Sequence, residues 1–450
     1  MTERMLDLVV IGSGTAGQTV AHRCQRAGWS VAVVDARPFG GTCAQRGCDP
    51  KKVLVETAGF MDAARRMRGQ GITVEGARIS WQELIRFKRT FTSPVSREVE
   101  KGFAAAGIVA IHGRARFIEP TTLQVGEERL RAQHVVIAAG ARRSTLNIPG
   151  EEYMTSSTQF MELEELPARI AFIGGGYISF EFAHIAALAG SQVQIFHRGT
   201  RPLKGFDPDL AVRLMRASHE LGIDIHLDAA ASGIEKSGKA LRVHVDGASG
   251  KSIYEADLVV HGAGRVPEIE DLDLEKAGVA WAPRGVVVNE YLQSVSNPAV
   301  YAAGDAAASG FPLTPVASLE GRVVAGNLLE GNHQTPDYRG IPTVVYTDPP
   351  LAAVGLSEEA VRAQGLKFRV KKSDTSSWQS SRRAGTKYSG YKVLVEEGSG
   401  RILGAHLLGV RADEVINLFA LAIRFGITAE ELKRAPFSYP THSSDVSYML

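Results

Sequence analysis

The chain has 450 residues, 44% hydrophobic and 22% charged, with 51 basic against 49 acidic side chains and a formal net charge of +2. That length supports two to four domains with separate cores, and the balanced charge leaves no basic footprint for nucleic acid. No apolar run approaches bilayer length, and the opening MTERMLDLVVIGSG lacks a secretory cleavage pattern. With only three cysteines, the expectation is a soluble cytoplasmic protein in which any disulfide is catalytic rather than structural.

The first element is an apolar, β-rich run, Leu6–Ile11, which ends at Gly12-Ser13-Gly14-Thr15-Ala16-Gly17. A helix is predicted over residues 16–27, then a strand, Val31-Ala32-Val33-Val34, closing on Asp35, 21 residues past Gly14. Strand, glycine turn, helix, strand and acid in this order form a dinucleotide-binding fingerprint. The glycines permit a tight turn and close backbone approach, the helix amino terminus faces a pyrophosphate, and Asp35 accepts from a ribose hydroxyl.

Next comes GGTCAQRGCDPKK, residues 40–52, with Cys43 and Cys48 five positions apart. Five residues of ideal helix rise roughly 7.5 Å, beyond the roughly 4.4–6.8 Å Cα separation that a disulfide accepts. A bridge here needs a distorted turn, which Gly47 would ease. Its short interior gains little from loop closure, so the pair reads as easily reduced, and a following helix amino terminus would favour the thiolate. A buried free pair or a two-ligand metal remnant is the structural alternative, but no second Cys/His pair with zinc spacing accompanies it. Asp49 would disfavour a thiolate at Cys48 unless Lys51 or Lys52 neutralises it, or else it points to solvent. Cys24, on the first helix, reads as a core residue.

Residues 51–106 are α-rich, and a strand-rich return closes at His134–Gly140 and Ile148-Pro149-Gly150, where the first domain hands over. The fingerprint then recurs: Arg169–Ile173 leads into Gly174-Gly175-Gly176-Tyr177-Ile178-Ser179, a helical stretch, and the strand Val193–Phe196. Ser179 takes the third small position. Twenty-one residues past Gly176 stands His197 rather than an acid, followed by Arg198, Arg201 and Lys204. A carboxylate there would repel a 2′-phosphate, whereas Arg and Lys attract it, so this site is expected to prefer NADPH over NADH. The second domain ends near Leu258–Arg265. Val300–Asp305 reads as a further strand ending in an acid, and Leu313-Thr314-Pro315 opens a helical run with Glu320, Gly321 and Arg322. From about residue 340 the pattern of alternating strands and two helices suggests a separate α+β domain.

Taken together, GGTC-x4-C-x-P-K-K, both fingerprints, Gly264-Arg265-Val266-Pro267, Ala303-Gly304-Asp305, Leu313–Ala317 and Gly404-Ala405-His406 resemble the class I, glutathione-reductase-like flavoprotein disulfide oxidoreductases along nearly the whole chain. The resemblance implies an α/β fold with two Rossmann-like dinucleotide-binding domains and a carboxy-terminal α+β dimerisation domain. It divides the chain into an FAD-binding domain (residues 1–150, completed by 271–335), an NAD(P)H-binding domain (151–270) and an interface domain (336–450) that makes a homodimer. It implies FAD in the first site, with Thr42, Ala115, Gly140, Asp305 and Thr314 lining it beyond the glycine turn and Asp35. NADPH would occupy the second site, at Gly174, Gly176, Tyr177, Ile178, Arg198, Lys204 and Gly264. Tyr177 matches the family's gating aromatic and Glu181 the acid that pairs with Lys51. Cys48 matches the thiol beside the flavin, and Cys43 the interchange thiol that attacks substrate.

The carboxy terminus departs from that family. Where the family carries a catalytic histidine, with a carboxylate five residues later, this chain has Tyr439 and Ser444. Tyr439 can donate a proton but is a poor base at neutral pH. His442 and Asp445, three residues apart, form a displaced acid–base pair or else a plain interface histidine. Mercuric reductases share the tyrosine but end in a cysteine pair, whereas this chain ends Tyr448-Met449-Leu450, which disfavours mercury handling by that route. Of the family's glutathione contacts only Arg322 is kept, since His22 and Val99 replace an Arg and a Tyr. The expected function is NADPH-driven reduction of a small disulfide that need not be glutathione disulfide. The alternatives are NADPH-dependent reduction of a metal ion, quinone or other electrophile, and a non-turnover flavin sensor.

Overall fold

The computed structural model describes residues 3–248 and 250–450, with Met1, Thr2 and Ser249 outside them. The run Glu3–Ile11 (β1) is buried at successive positions from Val9 to Ile11, the pattern of a strand covered on both faces. It sits inside a seven-stranded sheet with Val31–Asp35 (β2), Val109–His112 (β3), Ala115–Glu119 (β4), Thr122–Val125 (β5) and Glu128–Ile137 (β6). The order is β3-β2-β1-β6-β5-β4, and Val300–Ala302 pairs with β6. β1 runs parallel to β2 and β6, with Ile11 beside both Val34 and Ile137. The glycine turn after β1 and Asp35 at the end of β2 therefore emerge at the same edge, as a ligand site at strand carboxyl ends requires. Helix Thr15–Arg26 (α1), within one residue of the predicted 16–27, packs against helix Thr314–Glu330. These elements form one compact unit, made of residues up to 52, 86–144 and 265–338.

Residues 53–85, 145–264 and 339–450 form the second unit. Its first layer is a four-stranded parallel sheet in the order Ile223–His226, Gln192–Phe196, Arg169–Ile173, Leu258–His261. Helix Tyr177–Leu188 is apolar on every side, and residues 179–188 are all buried, as expected of a helix inside a core. A three-stranded antiparallel meander spans residues 229–256. The last part of the chain builds a five-stranded antiparallel sheet, residues 343–408, with helix Ala412–Phe425 packed on it through Val415, Ile416 and Phe419. Five helices occur after residue 340, where the sequence pattern predicted two. Four of them have six residues or fewer, too short to show a 3.6-residue period. No helix among the described residues is long and apolar enough to cross a membrane.

Candidate active site

GGTCAQRGCDPKK folds as two helices that meet at Gly47: Gly41–Arg46 (α2) and Cys48–Arg66 (α3). Gly41 has φ +74°, and a Cβ there would stand 2.4 Å from the Cα of Gly14, so the loop lies directly on the first glycine turn. Gly47 closes the break, since its Cβ would meet the Thr42 carbonyl at 2.9 Å and the Cys43 Cα at 3.3 Å. Cys43 is half-buried, Cys48 is exposed, and both are free thiols. Cys48 starts α3, where unpaired backbone N–H groups and the helix dipole favour an anion.

The two thiols are strongly unequal. Cys48 is pulled down to about 6, first by the hydrogen bond that Cys43 donates, then by the Thr314 hydroxyl and the charge of Lys51, against burial and Asp49. Cys43 is pushed up because its proton is held in that same bond, and because it is buried. Thr314 Oγ1 lies 3.5 Å from Cys48 Sγ, and Asp49 Oδ1 lies 4.0 Å from Cys43 Sγ. Asp49 thus stands beside the dithiol and opposes its ionisation. The pair is thereby polarised, with Cys48 the more acidic of the two thiols. Cys24 is buried and pushed up to about 12 by that burial, an inert core thiol.

Around the first turn, Asp35 Oδ2 accepts from Ser13 N (2.9 Å) and Ser13 Oγ (2.6 Å), and Oδ1 from Arg37 N (2.9 Å). Gly113 N donates to the Asp35 carbonyl at 3.0 Å, which sets Ala115 two residues from that strand end. Thr15, Ala16 and Gly17 form the first turn of α1, Thr42 lies in α2, and Gly140 follows β6 with φ +75°. Asp305 sits in the turn Gly304–Ala306 after Val300–Ala302, and burial raises its carboxyl. The turn is braced by the fully buried Glu320, which accepts from Gly304 N at 2.6 Å and from the Tyr338 hydroxyl at 2.7 Å.

In the second unit, Gly174 and Gly176 lead into Tyr177, which is 46% exposed, and Ile178. Ser179 is fully buried against Gly262, so a serine does serve as the third small residue. Glu181 is buried and accepts the backbone N–H of Tyr346 at 2.9 Å. Arg198 and Lys204 are exposed, and Gly264 has φ +120°. Lys51 belongs to the first unit and Glu181 to the second. The helices after both glycine turns lack a side-chain cap and an acid in their first turn, which leaves their amino termini open to phosphate.

The sequence matches the pyridine nucleotide-disulphide oxidoreductase family over residues 6–321 and that family's dimerisation domain over residues 341–449. The chain belongs to this family. It is 32% identical to a glutathione reductase from Nostoc sp. over 98% of each chain. It is 31% identical to a mercuric reductase from Staphylococcus aureus, covering 95% of this chain and 78% of the relative. Among solved structures it is similar to the HOCl-induced flavoprotein disulfide reductase RclA from Escherichia coli, determined as a Cu(II) complex, with TM-score 0.88, 28% identity and 99% of each chain covered. The family uses FAD and NAD(P)H, and the two open helix amino termini, Asp35 and the Asp305 turn fit such groups.

Within the family's dimerisation domain, Tyr439 is 82% exposed. Ser444 is spent on its own turn, exchanging hydrogen bonds with Thr441. His442 is half-buried and lowered by burial and by Arg383, and Asp445 meets it through a backbone bond to its carbonyl. Among the described residues no group of three or more His, Cys, Asp or Glu side chains is placed to hold a metal ion.

A groove of about 700 Å³ runs between α1 and helix Thr314–Glu330, lined by His22, Arg23, Arg26, Ser318 and Arg322 together with neutral side chains and no carboxylate. Ser318 and Arg322 stand one and two turns beyond Thr314, about 6 and 12 Å along the helix from the residue that touches Cys48. Sequence reading missed the bracing by Glu320 and Tyr338 and the seating of Glu181 by Tyr346. An acid among the small and apolar residues of helix Thr314–Glu330 was the available signal for Glu320, and a backbone donor leaves none.

Proposed function

We propose that this chain is an NADPH-driven reductase of a small disulfide other than glutathione disulfide, acting as a homodimer. The observation that carries the reading is the placement of the dithiol: Cys43 and Cys48 flank the Gly47 break, with Cys48 at the amino terminus of α3 and 3.5 Å from the Thr314 hydroxyl. FAD, when bound, supplies the electron-pair relay between nicotinamide and sulfur. Cys43 attacks one substrate sulfur as its shared proton shifts to Cys48, and the first thiol leaves with that proton. Cys48 then displaces the second thiol as an anion and closes the Cys43–Cys48 disulfide, so two electrons pass to the substrate. Tyr439 or His442 of the neighbouring copy donates the last proton. The homodimer is supported by the family dimerisation domain and by the exposed apolar residues Leu421, Phe425, Tyr439 and Tyr448 within it.

The groove supports an acceptor whose tails carry only anions. Its Arg23, Arg26 and Arg322 suit carboxylate or phosphate, whereas the ammonium groups of glutathione disulfide would meet no carboxylate among the lining residues. Arg198 and Lys204 support NADPH. A second reading, reduction of Cu(II), is favoured by the exposed Tyr439 in place of a base, because metal reduction needs no proton on a leaving thiol; RclA was solved as a Cu(II) complex. An anaerobic screen under NADPH separates them, with arms for a phosphate-tailed disulfide, glutathione disulfide and a Cu(II) salt. The expected result is turnover of the phosphate-tailed disulfide, lost in Cys43→Ser and Cys48→Ser, with a raised KM in Arg322→Ala. Turnover of Cu(II) alone would replace the first reading by the second, and disulfide turnover that survives Cys43→Ser would sink the first.

A further inference from the structure

His197 stands where the first fingerprint has Asp35, and both of its ring nitrogens are committed. Nδ1 accepts the N–H of Gly175 at 3.1 Å, and Nε2 lies 3.0 Å from the carbonyl of Arg201. A peptide N–H only donates and a carbonyl only accepts, so the ring is neutral with its proton on Nε2. The carbonyl of Gly175 in turn accepts the N–H of Leu203 at 2.8 Å. The middle glycine of the turn is therefore fastened on both sides to residues 197–204. Nothing larger fits, because a Cβ at 175 would lie 2.6 Å from His197 Cγ and 3.0 Å from Pro202 Cβ. Leu203 is held at φ +49°, a left-handed conformation that non-glycine residues rarely adopt. From below, His197 N donates to His226 O and Ala229 N to His197 O, both at 2.9 Å.

Two consequences follow for a nucleotide at this turn. A carboxylate in this place would accept from a ribose 2′-hydroxyl, whereas this imidazole has no nitrogen left for one. The same bonds hold the loop bearing the exposed Arg198 and Lys204 against the turn. Building on the NADPH reading above, we infer that His197 is a specificity-determining residue: a neutral pin that fixes the basic loop for a 2′-phosphate and withholds the acceptor a 2′-hydroxyl needs. Burial, with the nearby Lys204 and Arg198, keeps the imidazole below its ordinary value and so supports the neutral form.

The test is calorimetric binding of 2′,5′-ADP and of 5′-AMP to the oxidised holoenzyme, which needs no turnover. The parent should prefer 2′,5′-ADP. His197→Ala should lose about tenfold of that preference, the worth of one charge-assisted hydrogen bond, mainly through weaker 2′,5′-ADP binding. His197→Asn, whose Oδ1 can still accept from Gly175, should keep more of it, and His197→Glu should shift the ratio toward 5′-AMP. Parental ratios in His197→Ala and His197→Asn, alongside weakened 2′,5′-ADP binding in Arg198→Ala, would overturn the role of His197 and leave the NADPH reading standing. A parent that does not discriminate would remove both.

Discussion

Replacing Asp49 by asparagine should lower the first ionisation of the dithiol. Its carboxylate lies 4.0 Å from Cys43 Sγ, and its charge raises both thiols. Two unit charges at that distance interact by about 1 kcal/mol in water and about 4 kcal/mol at an effective dielectric of 20. Asp49 is exposed, so the lower figure applies and salt reduces it further. Roughly 1 kcal/mol is about 0.7 of a pKa unit. The Asp49 charge also raises Cys48, which starts at about 6, so at pH 6 its thiolate fraction should rise in the variant. The assay is the rate of iodoacetamide alkylation of the anaerobically reduced protein across the acid and neutral range. Cys24 stays silent there because it is buried. Thr314→Val is the control of opposite sign, since it removes the hydroxyl 3.5 Å from Cys48 Sγ and should raise the midpoint by a similar amount. A midpoint that stays put or rises in Asp49→Asn would refute the electrostatic account, and equal shifts in both variants would point to a rearranged loop.

Three further outcomes test the scaffold. Lys392 Nζ is 4% exposed and lies 2.6 Å from Asp207, 2.9 Å from Asp209 and 3.2 Å from Glu358; Lys392→Ala should cost about 3–5 kcal/mol in urea unfolding, and less at acid pH. Burial and Asp62 hold the Asp348 carboxyl well above its ordinary value, against Arg66. A raised folded-state pKa means stability that is full below the unfolded value, near 3.8, and lost as pH rises through the folded one. Asp348→Asn should therefore gain about 1–2 kcal/mol over the parent near pH 8 and lose that advantage near pH 4, read from melting curves across pH. Glu320→Leu leaves the Gly304 N–H and the Tyr338 hydroxyl unpaired, at about 1–3 kcal/mol each, and should speed flavin loss, followed by the rise of free-flavin fluorescence.

The sheet and the two glycine turns were legible because their signals are local and periodic. β1 ends in the apolar run Leu8–Ile11, and Asp35 and His197 sit at equal distances past their glycines. The dithiol was legible from spacing, as was the need for Gly47. Its polarisation was only partly so: the helix amino terminus at Cys48 follows from sequence, but Thr314 Oγ1 arrives from 266 positions away. The short helices after residue 340 escaped because a single turn carries no period. Asp49 could not be decided between solvent and sulfur, since an exposed side chain on the first turn of a helix is free to face either. The two jobs of His197 escaped for a related reason, because a missing acid is visible in sequence and a filled hydrogen-bond shell is not.

The departures from the family pattern lie on the acceptor side of the chemistry. Lys51, Tyr177, Glu181 and the Asp305 turn match the residues that the family resemblance places on the electron-input side, as do both glycine turns apart from His197 in the acid's place. Asp49, His22, Val99, Tyr439 and Ser444 depart, at positions that the same resemblance assigns to delivery. Each departure has a physical sense in the same direction. Asp49 keeps the dithiol less ionised than it would otherwise be, which makes Cys43 a slower but more basic and hence more nucleophilic thiolate once formed. Tyr439 and Ser444 stand where the family carries an imidazole–carboxylate pair, so on the proposed reading the second leaving group receives its proton less readily. An acceptor with acidic leaving thiols, or one that takes electrons without a proton, suits both changes. A disulfide of thiols more acidic than glutathione should accordingly turn over faster than glutathione disulfide even when its tail is uncharged. That rate, measured on uncharged aromatic disulfides of graded thiol pKa, separates the leaving-group argument from the contribution of the basic groove. A rate independent of thiol acidity would leave the groove as the sole basis for selecting the acceptor.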